Sequence, residues 1–194
     1  IRVLVRRPVL FDHPKVQTRI IDFSDETDFK SSISGSDMVF CAVGTTRKKV
    51  KGDKDAYRKV DYDIPVNASR YCSETGCNKV AIVSSAGADS SSNNFYIKFK
   101  GEVEDAVGEM NIRTILFFRP SILLGKRQEF RPGEEIGKAV IKPLSFLMPS
   151  KYRPVKARDV AGSMVAASKK KDLEGVHIFH YGDMKKLLRE DSEK

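Results

Sequence analysis

Apolar and polar positions along the chain fall into short β-branched runs separated by longer stretches of helical period. Strands are predicted at Ile1 to Val5, Gln17 to Ile21, Met38 to Val43, Val80 to Val83 and Thr114 to Phe118. Each run stops on punctuation: Arg6-Arg7-Pro8, Asp22, Gly44, Ser84-Ser85 and Arg119-Pro120. Between the third and fourth strands a helix of about Lys54 to Glu74 is expected, closed by Thr75-Gly76, where glycine is the usual terminator. Between the fourth and fifth a second helix runs from about Phe95 to Met110. The strands are apolar along most of their length, as a parallel sheet covered on both faces requires. Strand and helix in alternation predict an α/β, doubly wound parallel sheet.

At 194 residues the chain is one domain, with an extension from about Gln128 to the end. A content of 40% hydrophobic and 31% charged residues excludes disorder for the bulk of it. No membrane span is expected, because the longest apolar run, Thr114 to Leu124, is broken by Arg119 and Pro120. No charged-then-apolar leader points to secretion. Cys41, Cys72 and Cys77 cannot all pair within the chain, which predicts buried reduced thiols in a cytoplasmic protein.

Lysine and arginine exceed the acids by 35 to 26, a formal charge of +9 that favours acidic partners without choosing among them. The loop Arg47-Lys48-Lys49-Val50-Lys51 lacks the aromatics that stack bases, so no nucleic acid is expected. No metal is expected either. His177 and His180 lie three apart on a strand-like run, hence on opposite faces, and His13 sits in a loop.

The chemistry concentrates between Val80 and Gly125. An apolar strand delivers Ser84-Ser85-Ala86-Gly87 to its carboxyl end, where open α/β sheets place ligands. After the polar loop Ser90 to Asn94, Tyr96 and Lys100 stand four apart on a helix and share a face. A free phenol titrates near 10 and is a poor proton donor at neutral pH, but a neighbouring cation favours phenolate. A serine hydroxyl nearby can hold a carbonyl or alcohol oxygen while the phenol gives or takes its proton. An amphipathic surface pair is the plain alternative for a bare Tyr-x-x-x-Lys spacing. The serine-ended strand before it and Phe118-Arg119-Pro120-Ser121 after it favour the chemical reading.

These segments resemble the short-chain dehydrogenase/reductase superfamily, in its atypical branch of Tat-interacting-protein-type oxidoreductases and their fungal mitochondrial relatives. The resemblance rests on Asp37 to Arg47, Val60-Asp61-Tyr62-Asp63, Val83 to Asp89, Tyr96 to Glu102, Arg119-Pro120-Ser121 with Leu124 to Arg127, and Arg153 to Ala161, the approach to a last large helix. It implies a Rossmann-like NAD(P)-binding fold and roles for matching positions. Tyr96 would be the proton donor or acceptor, and Lys100 would hold the nicotinamide ribose. Ser85, with Ser84 as the alternative, would orient the reacting oxygen. Gly44 would border the adenine side and pyrophosphate, with Asp22 at the adenine, and Pro120 and Ser121 would contact the carboxamide through backbone atoms.

Arg6 and Arg7 follow the strand where dinucleotide folds discriminate cofactors. Arginine there favours a 2′-phosphate where a carboxylate would repel it, so NADP(H) is expected over NAD(H). Two surface arginines are the alternative.

The pattern departs from the superfamily in three places. The glycine-rich phosphate loop is absent, and with it the strand that belongs between those starting at Ile1 and Met38. The first residue is Ile, so the true start is expected upstream. Asp61 stands where typical members carry a helix asparagine, and Ser121 replaces the glycine of Arg-Pro-Gly.

The expected protein is thus an NADP(H)-dependent oxidoreductase acting on a carbonyl or alcohol, with Tyr96, Lys100 and Ser85 as its proton-transfer site. A dinucleotide-sensing regulator with a protein partner and little turnover is the rival. Gly125-Lys126-Arg127, Arg131-Pro132-Gly133 and the apolar Phe130, Ile136 and Phe146 are expected to wall the substrate side.

Overall fold

The computed structural model describes residues 1–9, 11–124 and 149–193. The expected substrate wall around Gly125 to Phe146 lies outside them. Strands β1 (Arg2–Val5) and β2 (Gln17–Ile20) form a parallel pair, followed by helix α1 (Glu26–Ile33) and strand β3 (Val39–Cys41). Then come α2 (Lys54–Arg58), a π-helical turn (Lys59–Asp63), α3 (Ile64–Glu74), β4 (Lys79–Val83), α4 (Phe95–Gly108) and β5 (Thr114–Phe118). The chain continues through β6 (Leu123–Leu124), β7 (Val155–Lys156), α5 (Ala157–Ser168), β8 (Gly175–Phe179) and α6 (Tyr181–Ser192).

The main sheet has the order β3-β4-β5-β8, all parallel. Period-two alternation sends Ala81, Leu116 and Phe118 to one face, where α5 and α6 cover them with Val160, Met164, Met184 and Leu187. Val80, Ile82, Ile115 and Phe117 point to the other, against Val103 and Val107 of α4. The result is the expected doubly wound α/β sandwich. Full burial holds for all of β5, but β2 keeps only Thr18 half-buried, as an edge strand permits.

Among the described residues no strand stands between β1 and β3: β1 pairs with β2 alone and β3 with β4 alone. Leu4 of β1 and Val39 of β3 nevertheless pack on one core, built from Phe29, Ile33, Ile64 and Tyr71. Helices α1 and α3 therefore hold the two pieces of sheet in register without a ladder between them.

Two local differences from the sequence reading have physical causes. The long helix expected from Lys54 is interrupted by the π-turn at Lys59–Asp63. Pro65 follows it and has no N–H to donate to the Asp61 carbonyl four residues back, so the ladder opens there. His180 is not on a strand but caps α6, its backbone N–H donating to Asp183 Oδ2 at 2.9 Å. No helix among the described residues is long and apolar enough to cross a membrane.

The loop after β4 folds down onto α4 at a glycine. A Cβ on Gly101 would stand 2.1 Å from the Ser90 nitrogen and 2.3 Å from the Asp89 carbonyl carbon. Both are backbone atoms, so the loop itself would have to move. Gly101→Ala is therefore expected to cost about 3 kcal/mol, the upper part of the range for overpacking, read as a lowered denaturant midpoint. An unchanged midpoint would show that the loop yields freely.

Candidate active site

Four chain segments converge at the carboxyl end of β3, β4 and β5. The first is the start of α4, where the Asn94 side chain caps the helix by accepting from Tyr96 N at 3.0 Å and Ile97 N at 3.2 Å. That cap fixes Tyr96 in the first turn, with 43% of its surface exposed. One turn further Lys100 points inward and is only 7% exposed. The shared helix face thus carries an exposed phenol and a buried ammonium.

The second segment is the π-turn, which aims Asp61 at that ammonium. Lys100 Nζ lies 3.4 Å from Asp61 Oδ1. The other carboxylate oxygen accepts from Thr45 N at 2.7 Å, and the Tyr57 side chain lies close enough to stabilise the same group. Burial pushes the Asp61 carboxyl up, and Lys100 and the Thr45 N–H oppose that shift. Tyr57 is pushed up as well, first by burial and then by the Asp61 charge. Its ring packs edge-on against Phe95 and Phe99 of α4. Gly44 adjoins this group, since a Cβ there would sit 3.4 Å from Asp61 Oδ1.

The third and fourth segments are the loops after β4 and β5, knitted together by Ser84 N–H to the Phe118 carbonyl at 2.7 Å and Ala86 N–H to the Pro120 carbonyl at 2.9 Å. The two serines then separate in role. Ser84 donates its hydroxyl to Glu104 of α4, which also accepts from Arg119 Nε at 3.0 Å. Ser85, 8% exposed, reaches only the Ala86 carbonyl at 3.5 Å, too long for a strong bond, so its hydroxyl remains available to another oxygen. The Ser121 hydroxyl donates to the carbonyls of Tyr152 and Arg153, at 2.9 and 2.7 Å. Behind these groups a small recess is lined by Cys41, Val43, Pro65, Ser84, Lys100 and Val103.

The remaining expected positions lie on the other piece of the sheet. Arg6 and Arg7 are exposed just beyond β1, without an ion-pair partner among the described residues. Asp22 follows β2, its carboxylate held by Ser24 N at 2.9 Å and Ser24 Oγ at 2.7 Å, which keeps it below the usual carboxylate range. Among the described residues no cluster of His, Cys, Asp and Glu could hold a metal.

Sequence reasoning did not find the partners of Lys100 and Ser84. Asp61 registered within a matching segment and as a departure from asparagine but not as the partner of Lys100, and Tyr57 and Glu104 not at all. A signal existed in α4: Phe99, Lys100, Val103, Glu104 and Val107 form one stripe, so two charges ride on its apolar face. Buried charges at such places need partners.

A parallel sheet covered by helices on both faces, with its polar side chains gathered at the carboxyl ends of the strands, sets the class. Residues 1–111 match the family described as NAD(P)H-binding. The chain belongs to that family, as an atypical short-chain dehydrogenase/reductase of the Tat-interacting-protein type. Protein HTATIP2 of Rattus norvegicus is 35% identical over 137 residues, covering 69% of this chain and 56% of that protein. The mitochondrial protein FMP52 of Candida albicans is 34% identical over 133 residues, 66% of this chain and 58% of its own. The chain thus spans little more than half the length of either. FMP52 of Eremothecium gossypii, also named mitochondrial, is 29% identical over 97% of this chain and 85% of its own.

Among solved structures, MoeE5 in complex with UDP-glucose and NAD superposes with a TM-score of 0.66 at 12% identity, over 99% of this chain and 72% of that one. A nucleoside-diphosphate-sugar epimerase from Staphylococcus aureus gives 0.61 at 15%, over 100% and 68%. These two show the fold. The fungal names overturn the cytoplasmic expectation and point to mitochondria. Three unpaired cysteines do not identify a compartment.

Proposed function

We propose that this protein is a mitochondrial NADP(H)-dependent oxidoreductase that interconverts a carbonyl and an alcohol. The observation that carries the reading is Lys100, a buried ammonium held by Asp61 one helical turn inside the exposed Tyr96. A lysine placed there for surface solubility would face water. When bound, the nicotinamide supplies or takes up the hydride. Tyr96 gives the proton to the carbonyl oxygen, or takes it from the alcohol. Ser85 holds that oxygen through its unengaged hydroxyl, and Lys100 supports the phenol and binds the ribose. Ser84 borders the cofactor through its backbone, since its hydroxyl serves Glu104.

The cofactor would lie across the carboxyl ends of both sheet pieces. Gly44 lines its pyrophosphate side, Asp22 its adenine, and Pro120 and Ser121 its carboxamide end. Arg6 and Arg7 fit a 2′-phosphate: both guanidinium groups are exposed, and neither is engaged by an acid among the described residues. The substrate is a small carbonyl or alcohol.

The test is reduction of an aldehyde and ketone panel with NADPH and with NADH. NADPH is expected to be preferred. Arg6→Glu with Arg7→Glu should erode that preference by about 10- to 100-fold, the worth of one or two charge-assisted bonds. Equal use of both cofactors by the unmodified protein would overturn the NADP(H) assignment. Cofactor binding with no turnover on any carbonyl would favour a sensor.

A further inference from the structure

Helix α3 ends in a closure that joins two thiols. Gly76 takes a φ of 78°, the Cys77 N–H donates to the Cys72 carbonyl at 2.9 Å, and the Gly76 N–H reaches the Ser73 carbonyl at 3.5 Å. These two bonds define the Schellman motif, in which the side chains on either side of the closure touch. In most helices an apolar pair fills that contact, but here both residues are cysteines. Cys72 is 0% exposed and Cys77 3%. Both sulfurs lie 3.4 Å from one acceptor, the Lys79 carbonyl, and Cys72 Sγ is 3.2 Å from the Cys77 carbonyl.

We propose that Cys72 and Cys77 are a redox-active dithiol that closes to an intrachain disulfide when hydrogen peroxide oxidises the protein. The pair lies at the opposite end of α3 from the π-turn that carries Asp61, and plays no part in the proton-transfer site. The two sulfurs differ in role. The neighbouring Cys72 sulfur pulls the Cys77 thiol below the ordinary range, while Cys72 is pushed up by Cys77 and by burial. Cys77 is therefore the sulfur that reacts first. Its neighbours Gly76 and Asn78 are exposed, so loosening of this one turn admits a small oxidant.

The Cys77 thiolate attacks one peroxide oxygen, the O–O bond breaks, and hydroxide leaves, giving a sulfenic acid. Cys72 loses its proton as its sulfur attacks Cys77, displacing the hydroxyl group as water. In sum two thiols and one peroxide give one disulfide and two waters. Cys41 is kept out of this chemistry, because burial pushes its thiol up and it sits in the recess beside Lys100.

The test treats the whole protein with peroxide near neutral pH, then unfolds it and alkylates the remaining thiols. Trypsin cuts after Arg70 and Lys79, so one peptide, residues 71–79, carries both cysteines. That peptide is expected to lose about 2 Da and to escape alkylation until a reductant is added, while Cys41 alkylates fully. In Cys72→Ser the reaction should stop at a sulfenic acid on Cys77, trapped by dimedone. The proposal is overturned if the unmodified protein keeps both thiols alkylatable at doses that oxidise free glutathione. A disulfide through Cys41, or over-oxidation of Cys77 with no disulfide, would overturn it equally.

Discussion

Lys100→Met is expected to lower stability by about 3–5 kcal/mol, the usual result of removing one partner from a buried ion pair. The variant leaves the Asp61 carboxylate, 2% exposed, with the Thr45 N–H and the Tyr57 side chain but no counter-charge. Removing both charges should be far milder, because Lys100→Met with Asp61→Asn keeps an acceptor for Thr45 and strands no ion. Denaturant unfolding of the two variants therefore separates stability from chemistry. The double variant should regain most of the lost stability and still fail to turn over. If the single variant were as stable as the parent protein, the pair would not be the buried, coupled one that the geometry describes.

Glu104→Ala is the second large effect, expected at about 3 kcal/mol. Glu104 is 6% exposed and accepts from Arg119 Nε, Arg119 Nη2 and the Ser84 hydroxyl. The lower end of the range applies because the Arg119 side chain keeps 19% of its surface in water, where solvent screens the stranded cation. The loss extends beyond α4, since Arg119 and Ser84 belong to the loops that carry Ser85 and Pro120. Glu104→Gln retains an acceptor for both donors and should lose less than half as much. Equal losses for alanine and glutamine would mean that charge alone, not the shared acceptor, holds the loops.

The parts of this protein that sequence revealed are those governed by period. β5 is read to the residue because a β-branched threonine and four consecutive apolar positions ended by Arg119-Pro120 have no other use in a sheet covered on both faces. Tyr96 and Lys100 share a face by the same arithmetic. Helix α1 went unread because its apolar content is Phe29 and Ile33 alone, although Asp25 stands as its cap and accepts from Asp28 N. The π-turn was hidden because a wide turn has no composition of its own. Only Pro65, two residues past it, marks where the ladder must open. Partners of buried charges were illegible for a different reason: Asp61 and Lys100, or Ser84 and Glu104, are brought together by the packing of whole elements, which no spacing records.

The most direct test of the central claim compares the parent protein with Tyr96→Phe in one measurement of hydride transfer, following NADPH absorbance in a single turnover, with cofactor affinity from calorimetry alongside. The rate is expected to fall roughly 100- to 10,000-fold, the range for loss of a general acid, with cofactor affinity unchanged within about twofold. A phenylalanine variant that transfers hydride at the parent rate would contradict the account, as would one that loses cofactor affinity in step with its rate.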